Sequence, residues 1–192
     1  MIRIIGLGYR MGVGKDTAAS FLVDTGYTRH RFSDSLKLAA CTIFGWDRDD
    51  LEDLDFKMTV DQFWGMTPRT ILQKFGTDAV RNNIAQNVWI KSLQRRIQHN
   101  SDGAYVITDV RFVNEAMAIK AWGGKLIKVV RPGWTPPGLT QQQMTHPSET
   151  ELDGYEGWDA VIANDGDLAS LKGKVLETER MLYEETPSWQ VV

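Results

Sequence analysis

The stretch Gly8-Tyr9-Arg10-Met11-Gly12-Val13-Gly14-Lys15-Asp16-Thr17 follows an apolar run, Ile2 to Leu7, and leads into a helical pattern carrying Ala18, Phe21 and Leu22. Strand, glycine-rich turn and helix, in that order, are what a phosphate-binding loop requires. Glycines let successive backbone N–H groups curl round a phosphate, the helix N-terminus supplies positive potential, and a lysine reaches the outer phosphates. Gly12, Val13, Gly14, Lys15, Asp16 and Thr17 are therefore the expected cradle. The bland alternative is a glycine turn with Lys15 in solvent. Two departures from the usual spacing stand out. Counted back from Gly14-Lys15, the first glycine of the motif falls on Tyr9, and the nearest glycine is Gly8. Asp16 follows the lysine where a Ser or Thr hydroxyl normally meets magnesium, with Thr17 one place later. A dinucleotide-binding turn is excluded, because Gly6-Leu7-Gly8 is followed three residues on by Met11 instead of a third glycine.

Outward from this loop, apolar runs bounded by turn residues alternate with helical patterns. Strands are expected at 2–7, 27–32, 105–108, 125–130 and 160–163. Helices are expected from Lys15 to near Gly26, from Ser33-Asp34 to Gly45, from Thr67-Pro68 through Val80, over 84–98, over 112–122 and from Asp167 onward. Residues 46–66 have no clear period. Residues 132–157 are rich in glycine and proline and look like an excursion, in which Ser148 and Glu151 have capping-box spacing. Alternating strands and helices imply right-handed crossovers and a mostly parallel sheet covered on both faces, a three-layer α/β fold. In such sheets ligands bind beyond the carboxyl ends of the strands, where the glycine loop, Asp34, Asp109 and Arg131 are all expected.

Composition narrows the function. The 192 residues suit one domain, and 42% hydrophobic with 24% charged residues is ordinary for a soluble protein. A net charge of −3 favours neither a nucleic-acid duplex nor an anionic membrane as partner, so phosphates must meet a few placed cations instead of a basic face. The lone Cys41 lies in an apolar run, reads as core, and permits no internal disulfide, in keeping with the cytoplasm. No signal peptide or membrane span is expected. The base-reading Asn-Lys-x-Asp and switch Asp-x-x-Gly segments of a GTPase do not occur. The chain is short for a motor, and its size suits a small-molecule kinase.

Several stretches carry a specific resemblance: Gly14-Lys15-Asp16-Thr17, Phe32-Ser33-Asp34-Ser35-Leu36-Lys37, Thr67-Pro68-Arg69 with Leu72-Gln73-Lys74-Phe75-Gly76-Thr77-Asp78, Val106 to Glu115, and His146-Pro147-Ser148-Glu149. In order from about residue 2 to 172, the chain resembles the deoxynucleoside monophosphate kinases of tailed bacteriophages. The resemblance implies a P-loop kinase fold over 1–192, with a helical acceptor-binding region at about 34–100 and a lid-like insertion at about 132–157. It implies ATP- and Mg2+-dependent phosphorylation of a deoxynucleoside 5′-monophosphate, in the host cytoplasm if phage-encoded, by an enzyme of a group that is often dimeric. Dephospho-coenzyme A kinases have a similar layout but usually keep a Ser or Thr after the lysine. A module that binds ATP without transferring phosphate is the rival from another class.

Phosphoryl transfer needs positioning and charge neutralisation more than covalent chemistry. Lys15 is the expected donor-phosphate cation. Asp109, at a strand end, is a candidate metal-organising carboxylate or else a cap for the helix near Phe112; Asp16 and Thr17 are the other metal candidates. Arg111 is expected at the acceptor or transferring phosphate. Asp34 either meets the acceptor or only caps its helix, and Lys37 one turn on either meets the acceptor phosphate or is solvated. Arg69 sits in a helix first turn against the dipole preference, which points to an anion nearby. Gln73 shares its face and is a candidate base reader. Gly76 inside this helix suggests a kink or the close approach of a ligand. Trp89 either stacks on the base or belongs to the core. Because 132–157 holds no lysine or arginine, Arg10 or Arg131 is expected to serve the γ-phosphate.

Overall fold

Strand β1 (Arg3–Gly8) lies at the centre of a five-stranded parallel sheet in the order β2-β3-β1-β4-β5. The structure, a computed structural model, describes residues 2–98, 103–136 and 140–184. The other strands are β2 (Thr28–His30), β3 (Ala104–Val110), β4 (Lys125–Val130) and β5 (Ala160–Ala163). Successive strand residues point to opposite faces. Ile4, Ile107 and Leu126 accordingly enter one buried cluster while their neighbours Ile5, Val106 and Ile127 enter another. Burial on both faces is why these strands read as unbroken apolar runs.

One face is covered by α1 (Lys15–Val23) and α9 (Leu168–Glu184), through Ala18, Leu22, Leu171 and Val175. The other is covered by α5 (Val88–Ile97) and α6 (Val113–Ala121), through Leu93, Ala116 and Ile119. This is the expected three-layer arrangement. From β1 the chain passes to one side of the sheet, and from β3 it passes to the other. A crevice therefore opens beyond the carboxyl ends of β1 and β3, the place where open α/β sheets take ligands. Among the described residues no helix is long and apolar enough to cross a membrane.

Helix α2 (Asp34–Phe44) and the segment after it build the wall opposite the loop. The pattern from Thr67 to Val80 predicts one regular helix, but only α4 (Pro68–Gln73) is α-helical; Lys74–Arg81 is a π-helix. The approach suggested by Gly76 comes from α2. A Cβ there would lie 2.5 Å from Leu36 Cδ2, and the Gly76 carbonyl accepts a hydrogen bond from Trp89 Nε1 at 3.0 Å. The stretch without a clear period contains a 3-10 turn, Asp50–Glu52, and α3 (Leu54–Met58), packed under an aromatic cluster with Phe44, Trp46 and Phe75. Cys41 packs half-buried against the same cluster.

Segment 132–157, of which residues 137–139 lie outside the described residues, contains α7 (Gln141–Met144) and α8 (Pro147–Thr150). The expected Ser148–Glu151 capping box does not form. His146 is the N-cap of α8, its Nδ1 accepting from Ser148 N at 3.2 Å, and Thr140 makes the box with Gln143 instead.

Candidate active site

The loop between β1 and α1 explains its own irregular spacing. Tyr9 has φ 102°, in the left-handed region that glycine normally occupies, and so do Gly12 at 75° and Gly14 at 101°. Tyr9 thus adopts the glycine-type backbone at the position where the usual motif has glycine, and the loop is neither longer nor slipped. Such a backbone costs a non-glycine residue about 1–3 kcal/mol. The ring meanwhile takes Lys128 Nζ at 4.2 Å and the Arg10 guanidinium at 5.7 Å from its centroid. At Gly14 a Cβ would lie 2.5 Å from Asn164 Nδ2, whose amide donates to the Val13 carbonyl at 3.0 Å and so pins the loop to the end of β5. Lys15 is only 6% exposed. Its Nζ donates to the Tyr9 carbonyl at 3.1 Å and to that of Arg10. Burial first, and then the charge of Arg111, hold this ammonium well below its ordinary pKa.

In front of the loop is a cavity of about 490 Å³. Lys15, Asp16 and Thr17 line its phosphate-loop side, Asp109 and Arg111 come from the end of β3, and Arg69 and Gln73 come from α4. The side chains of Phe32, Leu36, Leu72 and Trp89 make an apolar wall. Trp89 is both core and lining. Gln73 Nε2 is buried without a hydrogen-bond partner among the described residues.

Four ion-pair hubs order this cavity, and the sequence reading assigned a role to none of their central residues. Glu149 of α8 accepts from Arg69 Nη2 at 2.8 Å through Oε1, and from Arg111 Nη1 at 2.9 Å and Met11 N at 3.0 Å through Oε2. The arginine in a helix first turn thus has its anion, a carboxylate from 80 residues away. Arg31, directly after β2, donates to Asp16 Oδ1 at 2.8 Å, Thr108 Oγ1 at 3.2 Å and Glu52 Oε1 at 3.3 Å. Burial raises the Asp16 carboxyl, but Arg31, Lys15 and Arg29 outweigh it and hold the group below its ordinary value. Arg81 lies 4% exposed against Glu115, with its guanidinium 3.8 Å from the Phe112 ring centroid. Glu52 gathers Lys37 at 2.8 Å, Arg31 and Arg48.

The Glu52 hub has a pH signature. Partial burial raises its carboxyl, but Lys37, Arg48 and Arg31 pull it down to about 2 from an ordinary 4.5. A depressed carboxylate contributes stability that is present in full above the unfolded value and is lost as pH falls through the folded one. The thermal midpoint of wild type should therefore exceed that of Glu52→Gln above pH 4.5, with the gap closing toward pH 2. A gap independent of pH would contradict this assignment.

The residues expected in the site fall into three groups. Lys15, Gly12, Gly14, Asp16, Thr17, Lys37, Arg69, Gln73, Trp89, Asp109 and Arg111 share the cavity. Asp34 does not line it: its carboxylate accepts from Arg31 N at 3.0 Å and pairs with Arg48 and Arg96. It closes its own turn and neither caps α2 from outside nor faces the cavity. Arg10, Val13 and Arg131 line a second cavity of about 320 Å³ on the other side of the loop. There Arg10 pairs with Asp153 at 2.6 Å and Arg131 lies 4.5 Å over the Trp134 ring. Neither Arg10 nor Arg131 lines the first cavity, whose cations include Lys15, Lys37, Arg69 and Arg111. Asp109 does not cap the helix near Phe112, where Glu115 accepts from Arg111 N and Phe112 N. Its oxygens instead accept from Phe32 N at 2.8 Å and Ser33 N at 2.9 Å, fastening the start of α2 to β3. One signal was available for Glu149, its place in His146-Pro147-Ser148-Glu149; Arg31 adjoins the Phe32-Ser33-Asp34 stretch.

The donor set bears on magnesium. No cluster of three or more His, Cys, Asp or Glu suited to a metal occurs among the described residues. Magnesium in nucleotide sites needs only one or two protein oxygens beside phosphates and water. Asp16 fits that demand: Oδ2 makes no hydrogen bond among the described residues, and the group lines the cavity beside Lys15 and Thr17.

A parallel sheet in this strand order, with a glycine–lysine loop leaving its central strand and paired arginines facing that loop, defines a P-loop kinase. The fold likeness extends to the dephospho-CoA kinase of Campylobacter jejuni, with a TM-score of 0.52 and 13% identity over 94% of this chain and 97% of that one. Sequence narrows the class. The family model for deoxynucleotide monophosphate kinase matches residues 54–175. A protein of Acanthamoeba polyphaga mimivirus assigned as a deoxynucleotide monophosphate kinase is 35% identical over 90% of this chain and 94% of its own length. The deoxynucleotide monophosphate kinase of Enterobacteria phage T4 is 32% identical over 73% of this chain, which spans 59% of that protein. The chain belongs to the deoxynucleotide monophosphate kinase family.

Proposed function

We propose that the protein transfers the γ-phosphate of ATP to a deoxynucleoside 5′-monophosphate, yielding ADP and the deoxynucleoside diphosphate. The observation that carries this reading is that Lys15 of the phosphate loop and the Arg69–Arg111 pair face one cavity with an apolar far wall. A volume of about 490 Å³ is within the range of small-ligand sites. The acceptor's base lies against Phe32 and Trp89 with Gln73 at its edge, and its phosphate lies toward Arg69, Arg111 and Lys37. Gly12 to Thr17 and Lys15 hold the donor phosphates. Arg10, Val13 and Arg131, in the second cavity, belong to the donor side, and segment 132–157 is the lid.

An oxygen of the acceptor phosphate attacks the γ-phosphorus, and the bond to the β–γ bridging oxygen breaks, its electron pair leaving with ADP. The attacking oxygen is already anionic, so no general base is needed. What the protein must supply is alignment and positive charge where the transferring oxygens pass. Asp16 and Thr17 would hold the Mg2+ that accompanies ATP, and that ion would supply further positive charge to the donor phosphates.

The test is an acceptor panel: ATP and magnesium with each of the four deoxynucleoside monophosphates and with dephospho-coenzyme A, following ADP and the phosphorylated product. Product from at least one deoxynucleotide is expected. Product from dephospho-coenzyme A alone, or ADP formation that no acceptor stimulates, would sink the reading in favour of another acceptor or a non-catalytic ATP module.

A further inference from the structure

We propose that Glu149 is a positioning residue that holds Arg69 and Arg111 together at the phosphate end of the cavity and ties both to the phosphate loop. The inference rests on the kinase reading above and adds a residue that acts through the two arginines. Three donors from three different parts of the chain converge on one carboxylate: Arg69 from α4, Arg111 from beyond β3, and the Met11 amide of the loop. The Glu149 side chain is 7% exposed, so this is a buried junction and not a surface pair of small worth.

The arrangement depends unequally on the carboxylate. Arg111 Nη1 also donates to the Tyr9 carbonyl at 3.0 Å and keeps that anchor without Glu149. The Arg69 guanidinium makes no other hydrogen bond among the described residues, and its buried Nε has no partner there. Two guanidiniums facing the same space repel, and a shared anion is what allows both to stand there before any phosphate arrives. Glu149 engages one nitrogen of each arginine. A guanidinium has five N–H donors, so both keep donors for phosphate oxygens.

The placement also accounts for a lid without lysine or arginine. Here the cations come from the core, and the segment brings the anion that aims them. Helix α8 fixes that anion with a His146 cap and a proline in its first turn.

The experiment is steady-state kinetics of Glu149→Gln, Glu149→Ala, Arg69→Ala and the double variant Arg69→Ala/Glu149→Ala, with ATP and the best deoxynucleotide acceptor, alongside thermal unfolding. Glutamine keeps the size of the side chain but gives up one acceptor oxygen and the charge. Removal of one preorganised donor at a reacting oxyanion typically costs about 10²–10³ in kcat. At least a tenfold loss of kcat is expected in Glu149→Gln, assayed well below its lowered thermal midpoint where the fold is intact, and the double variant should be no slower than Arg69→Ala. Two outcomes overturn the proposal. Retained kcat with a lower KM for either nucleotide would mean that Glu149 merely occupies a phosphate position until substrate displaces it. Fully multiplicative losses in the double variant would mean that it does not act through Arg69. Wild type inactive on every deoxynucleotide is a separate result: it removes the kinase reading, and the inference with it.

Discussion

Replacing Lys15 by methionine is expected to lower turnover by about a thousandfold while leaving the thermal midpoint unchanged or raised. The kinetic part follows from what the lysine faces. In phosphoryl transfer nearly all of the catalysis is charge stabilisation and alignment, and single preorganised donors are worth roughly 10²–10³ or more. Lys15 is the cation that opens α1 at the floor of the phosphate loop. The stability part follows from its surroundings. The ammonium is 6% exposed, and its hydrogen bonds go to the carbonyls of Tyr9 and Arg10, not to a carboxylate. Its pKa is depressed by burial and by Arg111, so the folded protein holds the charged form less well than the unfolded chain does. That cost is full below the folded-state pKa and gone once pH exceeds the ordinary value of 10.5. Methionine removes the charge and keeps most of the length, so strain accepted for function is relieved. Kinetics and calorimetry on the same preparation decide the matter. A variant that loses activity together with stability would show Lys15 to be a structural strut of the loop.

The elements with the most burial were the most legible. Sheet strands buried on both faces leave runs such as Ile4-Ile5 and Leu126-Ile127. The phosphate loop was legible for a different reason: its chemistry is local, and Gly12, Gly14 and Lys15 carry it within four residues. Helices α3 and α7 were not legible, because four or five residues are too few to display a period, and α8 was marked only by the Ser148–Glu151 spacing, which misplaced its cap. Side-chain caps at Asp53, Thr140 and His146 mark their starts, and tertiary packing does the rest. From Thr67 to Val80 the apolar residues suit a 3.6-residue repeat, and the wider turn after Gln73 packs at Gly76 against Leu36 and Trp89, contacts that no local window contains.

The site divides along the same line. Arg69 was marked by a local anomaly, a cation in the first turn of a helix, and the anion that this anomaly demands is Glu149. The partner could not be named from sequence because 80 residues separate the two, and ion pairs at such range leave no spacing to count. Asp109 shows the reverse limit. Its place at a strand end was correctly read, but its oxygens engage the amides of Phe32 and Ser33 across the sheet. Whether an acidic residue at such an end meets a metal or a neighbouring turn depends on how closely that turn approaches, which is a property of packing. Arg131 likewise stands at a strand end yet lies over Trp134, and Asp34, expected just beyond a strand, opens α2 four residues past β2 and pairs with Arg96.

Glu115→Ala carries the largest expected effect on stability, about 3–5 kcal/mol, because it breaks a buried pair by removing one partner. Arg81 is 4% exposed and would keep its charge with only the Gln86 carbonyl, the Asn114 side chain and the Phe112 ring to meet it. Two backbone amides, Arg111 N and Phe112 N, would lose their acceptor as well. For a chain of this size each kcal/mol shifts the midpoint by about 2–4 °C, so a fall of roughly 6–20 °C is expected. Removing both charges is a different experiment. In Arg81→Met/Glu115→Gln the desolvation cost of the pair disappears with its attraction, and glutamine retains a carbonyl for the amides. Much of the lost stability should return. Arg81 and Glu115 also line the cavity near Trp89, so the restored fold should still bind its acceptor less well, seen as a raised acceptor KM with ATP binding intact. If the double variant regained both stability and acceptor affinity, the pair would be scaffold alone. Recovery of the fold without recovery of the acceptor would place this ion pair in the wall that the substrate touches.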